Sequence, residues 1–277
     1  MAATAHPLTQ VVLTKATEQM LFPIADDNSD RTSTPVVNYL LIVADILVFV
    51  FLQGAGTNER FTYAFSTVPG EIISGRDLAT RDQVVPTARG RVLMPGLQPT
   101  PIPVYLTLIT SMFMHGGIAH IFGNMLFLWI FGDNIEDRMG HVRYLIFYLI
   151  CGLVAGLAHV FATALLATNP ASLLIPSLGA SGAISGVLGA YILLFPTRRV
   201  TVLLSYFVTQ VPAFVAIGLW FVFQLINGLG MLGGAQQGGG VAYAAHIGGF
   251  VTGLALIYVF LIGRHNPTSG RIRSEDY

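Results

Sequence analysis

One serine and one histidine, far apart in the chain, each lie near the start of a long apolar run. Ser181 precedes the run Gly182–Phe195, and His246 precedes the run Ile247–Ile262. A serine hydroxyl is a weak nucleophile until a base takes its proton, and an imidazole is the usual partner. If the two runs are neighbouring helices, Ser181 is predicted to be a nucleophile and His246 its general base. No acidic residue lies at a matching depth to orient His246, so the sequence predicts a dyad.

A third apolar run supplies polar groups that could stabilise an oxyanion. His120 and Asn124 are four residues apart, so on a helix they project from one face. Acyl transfer needs hydrogen-bond donors aimed at the oxygen that becomes negative, and these two side chains, with the Ser181 backbone N–H near a helix start, could provide them. His115 is either a loop residue or a support for this site.

Composition indicates that these residues lie in a membrane protein. Charged residues make up 10% of the 277 residues, the hydrophobic set reaches 53%, and the mean hydropathy is +0.67. The 14 basic and 14 acidic side chains balance, which excludes a polyanion binder and so gives no nucleic-acid partner. The single cysteine, Cys151, excludes a disulfide framework and a thiolate metal site. No metal and no cofactor is expected.

The apolar runs predict six transmembrane helices in an all-α membrane protein. The predicted spans cover residues 36–54, 116–132, 142–167, 179–195, 203–226 and 242–263. The predicted organisation is an N-terminal tail (1–35), a membrane domain (36–263) with one long outer loop (55–115), and a C-terminal tail (264–277).

Arginines in the short loops predict the orientation. Arg138 and Arg143 separate the second and third spans, and Arg198 and Arg199 separate the fourth and fifth, so these loops and both termini are predicted to be cytoplasmic. His120, Ser181 and His246 then share a level in the outer half of the bilayer. No removable signal peptide or organelle-targeting leader is visible, so we expect a bacterial inner membrane.

Small residues predict that the fourth and sixth spans touch. Gly182 and Gly186 on one run, and Gly249 and Gly253 on the other, are each four residues apart. Such faces permit close approach of two membrane helices, which would bring the Ser181 hydroxyl to the imidazole. Packing glycines without a catalytic purpose are the alternative interpretation.

Three motifs resemble those of the rhomboid family of intramembrane serine proteases, and the likeness extends from the second predicted span through the sixth. Residues 179–182 read GASG, like the family's GxSG. Ala245, His246, Gly249 and Gly253 fit its AHxxGxxxG. Residues 120–124 fit HxxxN, with His115 at the family's spacing before them.

The resemblance implies a six-helix bundle that hydrolyses a peptide bond in or near the end of a substrate's transmembrane helix. It implies Ser181 as the nucleophile, His246 as the base, and His120 and Asn124, beside Gly179, as the oxyanion and substrate-binding residues. The implied partners are single-span or multi-span membrane proteins within the lipid bilayer, with substrate entering beside the fifth span. Residues 136–138 fit the family's E-x-R, which has a structural part there. The oligomeric state is left open.

Two positions depart from the family pattern. A Trp-Arg pair is common in the first outer loop, where this chain has Leu106 and Thr107. Ser185 occupies the place where many members carry an aromatic that packs on the catalytic imidazole. Another ring, such as Phe250 or Tyr243, could support His246 instead.

Two other functions fit part of the sequence. A catalytically silent rhomboid-like protein would bind membrane helices, although such relatives typically lack the serine or the histidine. A proton-coupled transporter would use Asp45, His159 and His246, but internal repeats, which many transporters have, are missing. Otherwise we expect Asp45 to be an interhelical hydrogen-bond partner and His159 a packing residue.

The glycine-rich segment 227–240 has two interpretations. It is either a flexible linker or a mobile cap over the site. Proline substitutions in a cap should slow turnover more than they alter folding.

Overall fold

The computed structural model describes residues 21–87, 90–166, 169–232 and 243–264. The helices of this part are α1 (Val36–Leu47, extended by a π-helical turn, Val48–Leu52), α2 (Glu59–Phe65), α3 (Pro69–Ser74), α4 (Thr107–Thr110), α5 (Ile118–Met139), α6 (His141–Leu166), α7 (Ser181–Leu194), α8 (Ala213–Leu232) and α9 (Tyr243–Leu261). The strands are β1 (Leu21–Asp26), β2 (Gln83–Thr87), β3 (Gly90–Met94), β4 (Arg199–Leu204) and β5 (Phe207–Pro212).

Membrane helices are present. Within the described residues, α5, α6 and α9 are long and apolar enough to cross a bilayer, while the shorter apolar helices include α1 with its π-helical turn, α7 and most of α8. The six-span count stays a prediction. Helix α5 continues to Met139, beyond its predicted end at 132, because the polar residues of its last two turns find partners on other segments.

The helices are joined to two small sheets, so the expected all-α fold class is correct only as a mostly helical fold. In the first sheet β4 lies between β1 and β5, and both pairings are antiparallel. Strands β2 and β3 form a separate hairpin within the predicted outer loop.

The predicted fifth span was wrong at its start. Residues 203–212 belong to the β4–β5 hairpin, and the helix begins at Ala213. The hairpin turns at Ser205, whose φ of 54° is left-handed, and the β-branched residues Val and Thr make up half of its strand residues. β-Branched and aromatic residues favour strands, but a short apolar run has no periodicity that separates strand from helix. The hydropathy of residues 203–226 therefore predicted one helix where the structure has a hairpin strand followed by a helix.

One end of the bundle gathers the segments that were predicted to be cytoplasmic. Arg31 lies 2.5 Å from Asp133 near the end of α5. Arg198, between α7 and β4, pairs with Asp30 at 2.6 Å. Arg264, just after α9, donates to the Arg138 carbonyl. The N-terminal segment, the two arginine-containing loops and the end of α9 are thus on the same side.

Residues 21–35, predicted to be a tail, are folded against this end. Strand β1 adds to the hairpin, and Asp26 accepts hydrogen bonds from Tyr191 at 2.6 Å and from Asn134 at 2.8 Å. Burial raises the pKa of Asp26 to about 7, although the Tyr191 hydrogen bond acts in the opposite direction. The placement of the domain boundary at residue 36 stays a prediction.

Candidate active site

Ser181 and His246 meet between α7 and α9. The Ser181 Oγ lies 2.8 Å from the His246 Nε2, a hydrogen-bonding distance, although 65 residues separate the two in the chain. Ser181 is the first residue of α7, and His246 lies in the first turn of α9. Both residues are partly buried in the described structure.

Glycines set the distance between these two helices. A Cβ added at Gly249 would lie against the Gly182 carbonyl oxygen, and one added at Gly253 would lie against the carbonyl of Gly186. The two small-residue faces predicted from the sequence therefore contact each other backbone to backbone. Any larger side chain would push α7 and α9 apart and separate the hydroxyl from the imidazole.

The second nitrogen of the imidazole also has a partner, one to which the sequence analysis gave no role. His246 Nδ1 lies 2.8 Å from Gln224 Oε1 on α8. A single glutamine in an apolar run carries no spacing signal, so the sequence does not indicate this contact. The predicted dyad thus has a third, uncharged group in contact with its base.

A ring does pack beside His246, but neither of the two rings that were suggested. Trp220, one turn before Gln224 on α8, has its ring centroid 5.9 Å from that of the imidazole. Phe250 packs on Trp220 at 6.4 Å and stacks on Phe221 at 4.1 Å. Ser185 is fully buried and donates to the Ser181 carbonyl at 2.6 Å.

His120 borders the proposed nucleophile through Gly179. The Gly116 N–H donates to His120 Nδ1 at 3.2 Å, so the neutral ring carries its proton on Nε2. A Cβ at Gly179 would lie 3.0 Å from that Nε2 and 3.7 Å from Ser181 Oγ. Gly179 has a φ of 128°, a conformation that favours glycine, and its missing side chain leaves room for the His120 Nε2–H beside Ser181.

Asn124 and His115 have hydrogen-bonding capacity that the described residues do not use. The Asn124 Nδ2 is buried and has no acceptor in the described part of the chain. Both His115 ring nitrogens are likewise without partners there, and burial lowers the pKa of His115 to about 3. The His115 ring packs edge-on against that of His120, with centroids 5.2 Å apart. This ring contact is consistent with the expected support of the site by His115, which stays a prediction.

Gln53, after the π-helical turn, holds His115 in place and was not anticipated from the sequence. The His115 N–H donates to Gln53 Oε1 at 2.9 Å, and Gln53 Nε2 donates to the His115 carbonyl at 3.0 Å. The side chain is fully buried. A glutamine at the end of an apolar run resembles an ordinary boundary residue, so sequence alone gave no signal.

The loop before Ser181 is pinned by the outer loop. Thr67 and Ser177 exchange two backbone hydrogen bonds, of 3.0 and 2.8 Å, and the Gly179 N–H donates to the Ser111 carbonyl at 2.9 Å. A cavity of about 40 Å³ lies beside these residues and reaches Ser181. A volume of about 10 to 15 Å³ holds one water, so this cavity, whose mainly apolar lining includes several hydroxyl groups, has room for roughly two or three.

Comparison with known proteins identifies the family. Residues 103–263 match the Rhomboid domain, which is more than half of the chain. The chain belongs to the rhomboid family. It is therefore an integral membrane protein, and members of this family are generally intramembrane serine proteases.

Similar proteins come from a mitochondrion, a bacterium and a plant. The chain is 32% identical over 158 residues to Rhomboid protein 1, mitochondrial, of Saccharomyces cerevisiae (57% of this chain, 42% of the relative). It is 30% identical over 226 residues to Rhomboid protease GluP of Bacillus subtilis (80% and 34%). It is 32% identical over 158 residues to RHOMBOID-like protein 4 of Arabidopsis thaliana (57% and 34%). The chain thus matches well under half of each relative's own length.

The rhomboid E-x-R segment has a structural role here. Both Glu136 carboxylate oxygens accept backbone N–H groups at the start of α1, from Val37 at 2.9 Å and Asn38 at 2.7 Å, and the carboxylate also contacts His141. These N–H groups have no partner within their own helix. The guanidinium of Arg138 lies over the Phe195 ring, 5.2 Å from its centroid.

Where the family commonly has its Trp-Arg pair, this chain attaches the outer loop differently. Thr107 is fully buried, donates to the Val104 carbonyl at 2.6 Å, and its own carbonyl accepts the Thr67 hydroxyl at 2.9 Å. Leu106 is exposed. An exposed leucine thus stands where the family commonly has the tryptophan, and a buried, hydrogen-bonded threonine stands where it has the arginine.

The expectations for Asp45, for His159 and for the glycine-rich segment 227–240 have separate outcomes. Asp45 is fully buried in α1, but neither carboxylate oxygen has a hydrogen-bond partner in the described residues, so the predicted interhelical partner is not found there. His159 lies partly buried on α6, and its packing role stays a prediction. Of the proposed cap, residues up to Leu232 continue helix α8, and the rest lies outside the described residues.

Proposed function

We propose that this rhomboid is an intramembrane serine endopeptidase that cuts peptide bonds in or near the transmembrane helices of other membrane proteins. The observation that carries the proposal is the 2.8 Å approach of Ser181 Oγ to His246 Nε2 at the N-terminal ends of α7 and α9. A nucleophile within hydrogen-bonding reach of its base is the arrangement that acyl transfer requires.

The reaction follows from the positions of the groups. Ser181 Oγ attacks the scissile carbonyl carbon while its proton moves to His246 Nε2. His246 then gives that proton to the amide nitrogen as the peptide C–N bond breaks, which leaves an acyl-enzyme ester on Ser181. Water, deprotonated by His246, attacks the ester, and the proton returns to Ser181 as the acid product leaves. The cavity beside Ser181 is a source of that water.

The oxyanion formed in each step needs donors in place beforehand. We assign this role to the Ser181 N–H at the start of α7, to the His120 Nε2–H beside Gly179, and to the Asn124 amide, which is one helical turn from His120 and has no partner among the described residues. Donors that have no other partner need no rearrangement when charge develops, which is why such groups lower the barrier. Removing one typically costs a factor on the order of 10² to 10³ in kcat.

Membrane placement follows from the fold and from loop charge. Six spans form the core, made by α1, α5, α6, α7, α8 and α9, and the end with the arginine-containing loops is cytoplasmic. Ser181 and His246 then lie toward the outer leaflet, and membrane proteins of one or several spans are the substrates. The bacterial inner membrane expected from the sequence stays a prediction, because the relatives include a mitochondrial protein of yeast and a plant protein.

The experiment uses purified protein in liposomes with a single-span substrate. Wild type should release two fragments, and Ser181→Ala and His246→Ala should release none. A fluorophosphonate probe should label wild type at Ser181 but not Ser181→Ala. Equal cutting by all three proteins would show that the dyad assignment is wrong. Binding without cutting or labelling by wild type would favour the catalytically silent alternative.

A further inference from the structure

We propose that Gln224 is a positioning residue, which fixes the tautomer and the orientation of the His246 imidazole so that Nε2 faces Ser181 as a base. The inference rests on the proposed protease function and adds to it a residue on a third helix, α8. Its basis is the pair of contacts at the two imidazole nitrogens, 2.8 Å to Gln224 and 2.8 Å to Ser181.

The tautomer follows from the two partners. The Gln224 Oε1 can only accept a hydrogen bond, so Nδ1 must carry a proton when it pairs with that oxygen. A neutral imidazole has one ring proton, so Nε2 is then an acceptor facing the Ser181 hydroxyl. Without the glutamine, the Nδ1–H tautomer loses this stabilisation, and molecules with the proton on Nε2 cannot take the serine proton.

Burial makes this contact more than a surface hydrogen bond. Gln224 is only 5% exposed and lies in an otherwise apolar stretch of α8. A primary amide in such surroundings is costly unless it is hydrogen-bonded, and the contact is stronger there than in water. When His246 becomes an imidazolium during the reaction, the same oxygen faces a cationic donor, which strengthens the bond further.

A second side chain on α8 restricts the same ring. Trp220 is one turn from Gln224, so both project from one face of the helix, and its ring packs near the imidazole. The tryptophan limits tilting of the imidazole, while the glutamine limits its rotation and its proton position. In a catalytic triad an acidic residue orients the histidine. Here Gln224 on α8, an uncharged acceptor, would orient His246 instead.

The test compares two substitutions of similar length. Gln224→Met fills the volume but offers no good acceptor, whereas Gln224→Glu keeps an accepting oxygen. If Gln224 only fills space, Gln224→Met should be active because methionine is apolar and flexible, and Gln224→Glu should be impaired because it buries a carboxyl group. The positioning role predicts the reverse order. Asn227→Ala is the matched control, because it removes a hydrogen bond to the Phe223 carbonyl on the same helix without touching His246.

The readouts are kcat and KM for a single-span substrate in liposomes, the fluorophosphonate labelling rate, and their pH profiles. Gln224→Met should lower kcat by roughly 10- to 100-fold with little change in KM. Gln224→Glu should stay within about fivefold of wild type, and its acidic limb should move up by about one pH unit, since a carboxylate favours the imidazolium. Asn227→Ala should match wild type. His120 and His159 also lie near His246, and the Gln224 substitutions leave both residues in place.

Methionine that is as active as glutamate at position 224, or an acidic limb that is the same in Gln224→Glu and wild type, would overturn the inference. Thermal unfolding in detergent must show that Gln224→Met is folded at the assay temperature; a folded, fully active Gln224→Met protein also refutes it. If wild type neither cuts nor labels, both proposals fail. If wild type is active, Ser181→Ala is inert and the Gln224 variants behave like Asn227→Ala, only the positioning role fails.

Discussion

Substitution of Gly253 by alanine, two helical turns along α9 from His246, should slow the proposed reaction about 10²-fold. The added Cβ would lie 2.7 Å from the Gly186 carbonyl carbon and 2.8 Å from its Cα, and closer still to the carbonyl oxygen. Ordinary contact begins near 3.4 Å, and backbone atoms cannot rotate away as a flexible side chain can. Helices α7 and α9 must therefore separate by roughly 0.7 Å or more at this level.

The separation acts directly on the dyad, because Ser181 is on α7 and His246 is on α9. If the helices move as rigid bodies, their 2.8 Å contact becomes about 3.5 Å, beyond the range of a hydrogen bond between oxygen and nitrogen. A displacement near 1 Å of a reacting group costs about 10²-fold in rate. The overpacking itself should lower stability by about 1 to 3 kcal/mol.

The assay is the labelling rate of Ser181 by a fluorophosphonate, together with cleavage of a single-span substrate in liposomes. Thermal unfolding in detergent separates loss of alignment from loss of fold. Gly218→Ala on α8 is the control, because a Cβ there would meet no heavy atom within 4 Å, and it should behave as wild type. A Gly253→Ala protein that labels as fast as Gly218→Ala would refute the argument that backbone contact sets the distance of the dyad.

Three further perturbations address other parts of the molecule. Alanine at His120 or at Asn124 should lower kcat on the order of 10²-fold while KM changes little, measured on the same substrate; a change in KM alone would assign these side chains to substrate binding. Glu136→Gln replaces one accepting oxygen at the start of α1 by a donor and should lower stability by about 1 to 3 kcal/mol, seen as a lower unfolding midpoint in detergent. Asp26 has a pKa of about 7 when folded against an ordinary 3.8, so its contribution to stability is present at low pH and is lost as pH rises from about 4 to 7. Asp26→Asn should therefore raise the unfolding midpoint at pH 8 more than at pH 4, and an equal change at both pH values would contradict the assigned burial.

The sequence was informative where a feature repeats or pairs within a short stretch. The spacing of His120 and Asn124, and the glycines at four-residue intervals, have geometric meaning on a helix before any tertiary structure is known. The β4–β5 hairpin was missed for the opposite reason. An apolar stretch of ten residues has too few turns for a period to show, and the neighbouring helix extended the hydropathic signal across it.

Two kinds of contact position the proposed base, and only one of them is visible in a sequence. The α7–α9 contact is between backbones and excludes every side chain larger than glycine, so it leaves a compositional pattern. The contact to α8 depends on one buried amide, Gln224, which could equally have faced a carbonyl of its own helix, as the Asn227 amide does. Which of these an isolated glutamine chooses depends on how α8 is placed against α9, and no spacing within α8 encodes that placement. The residue that orients the proposed base is therefore found only from the tertiary structure.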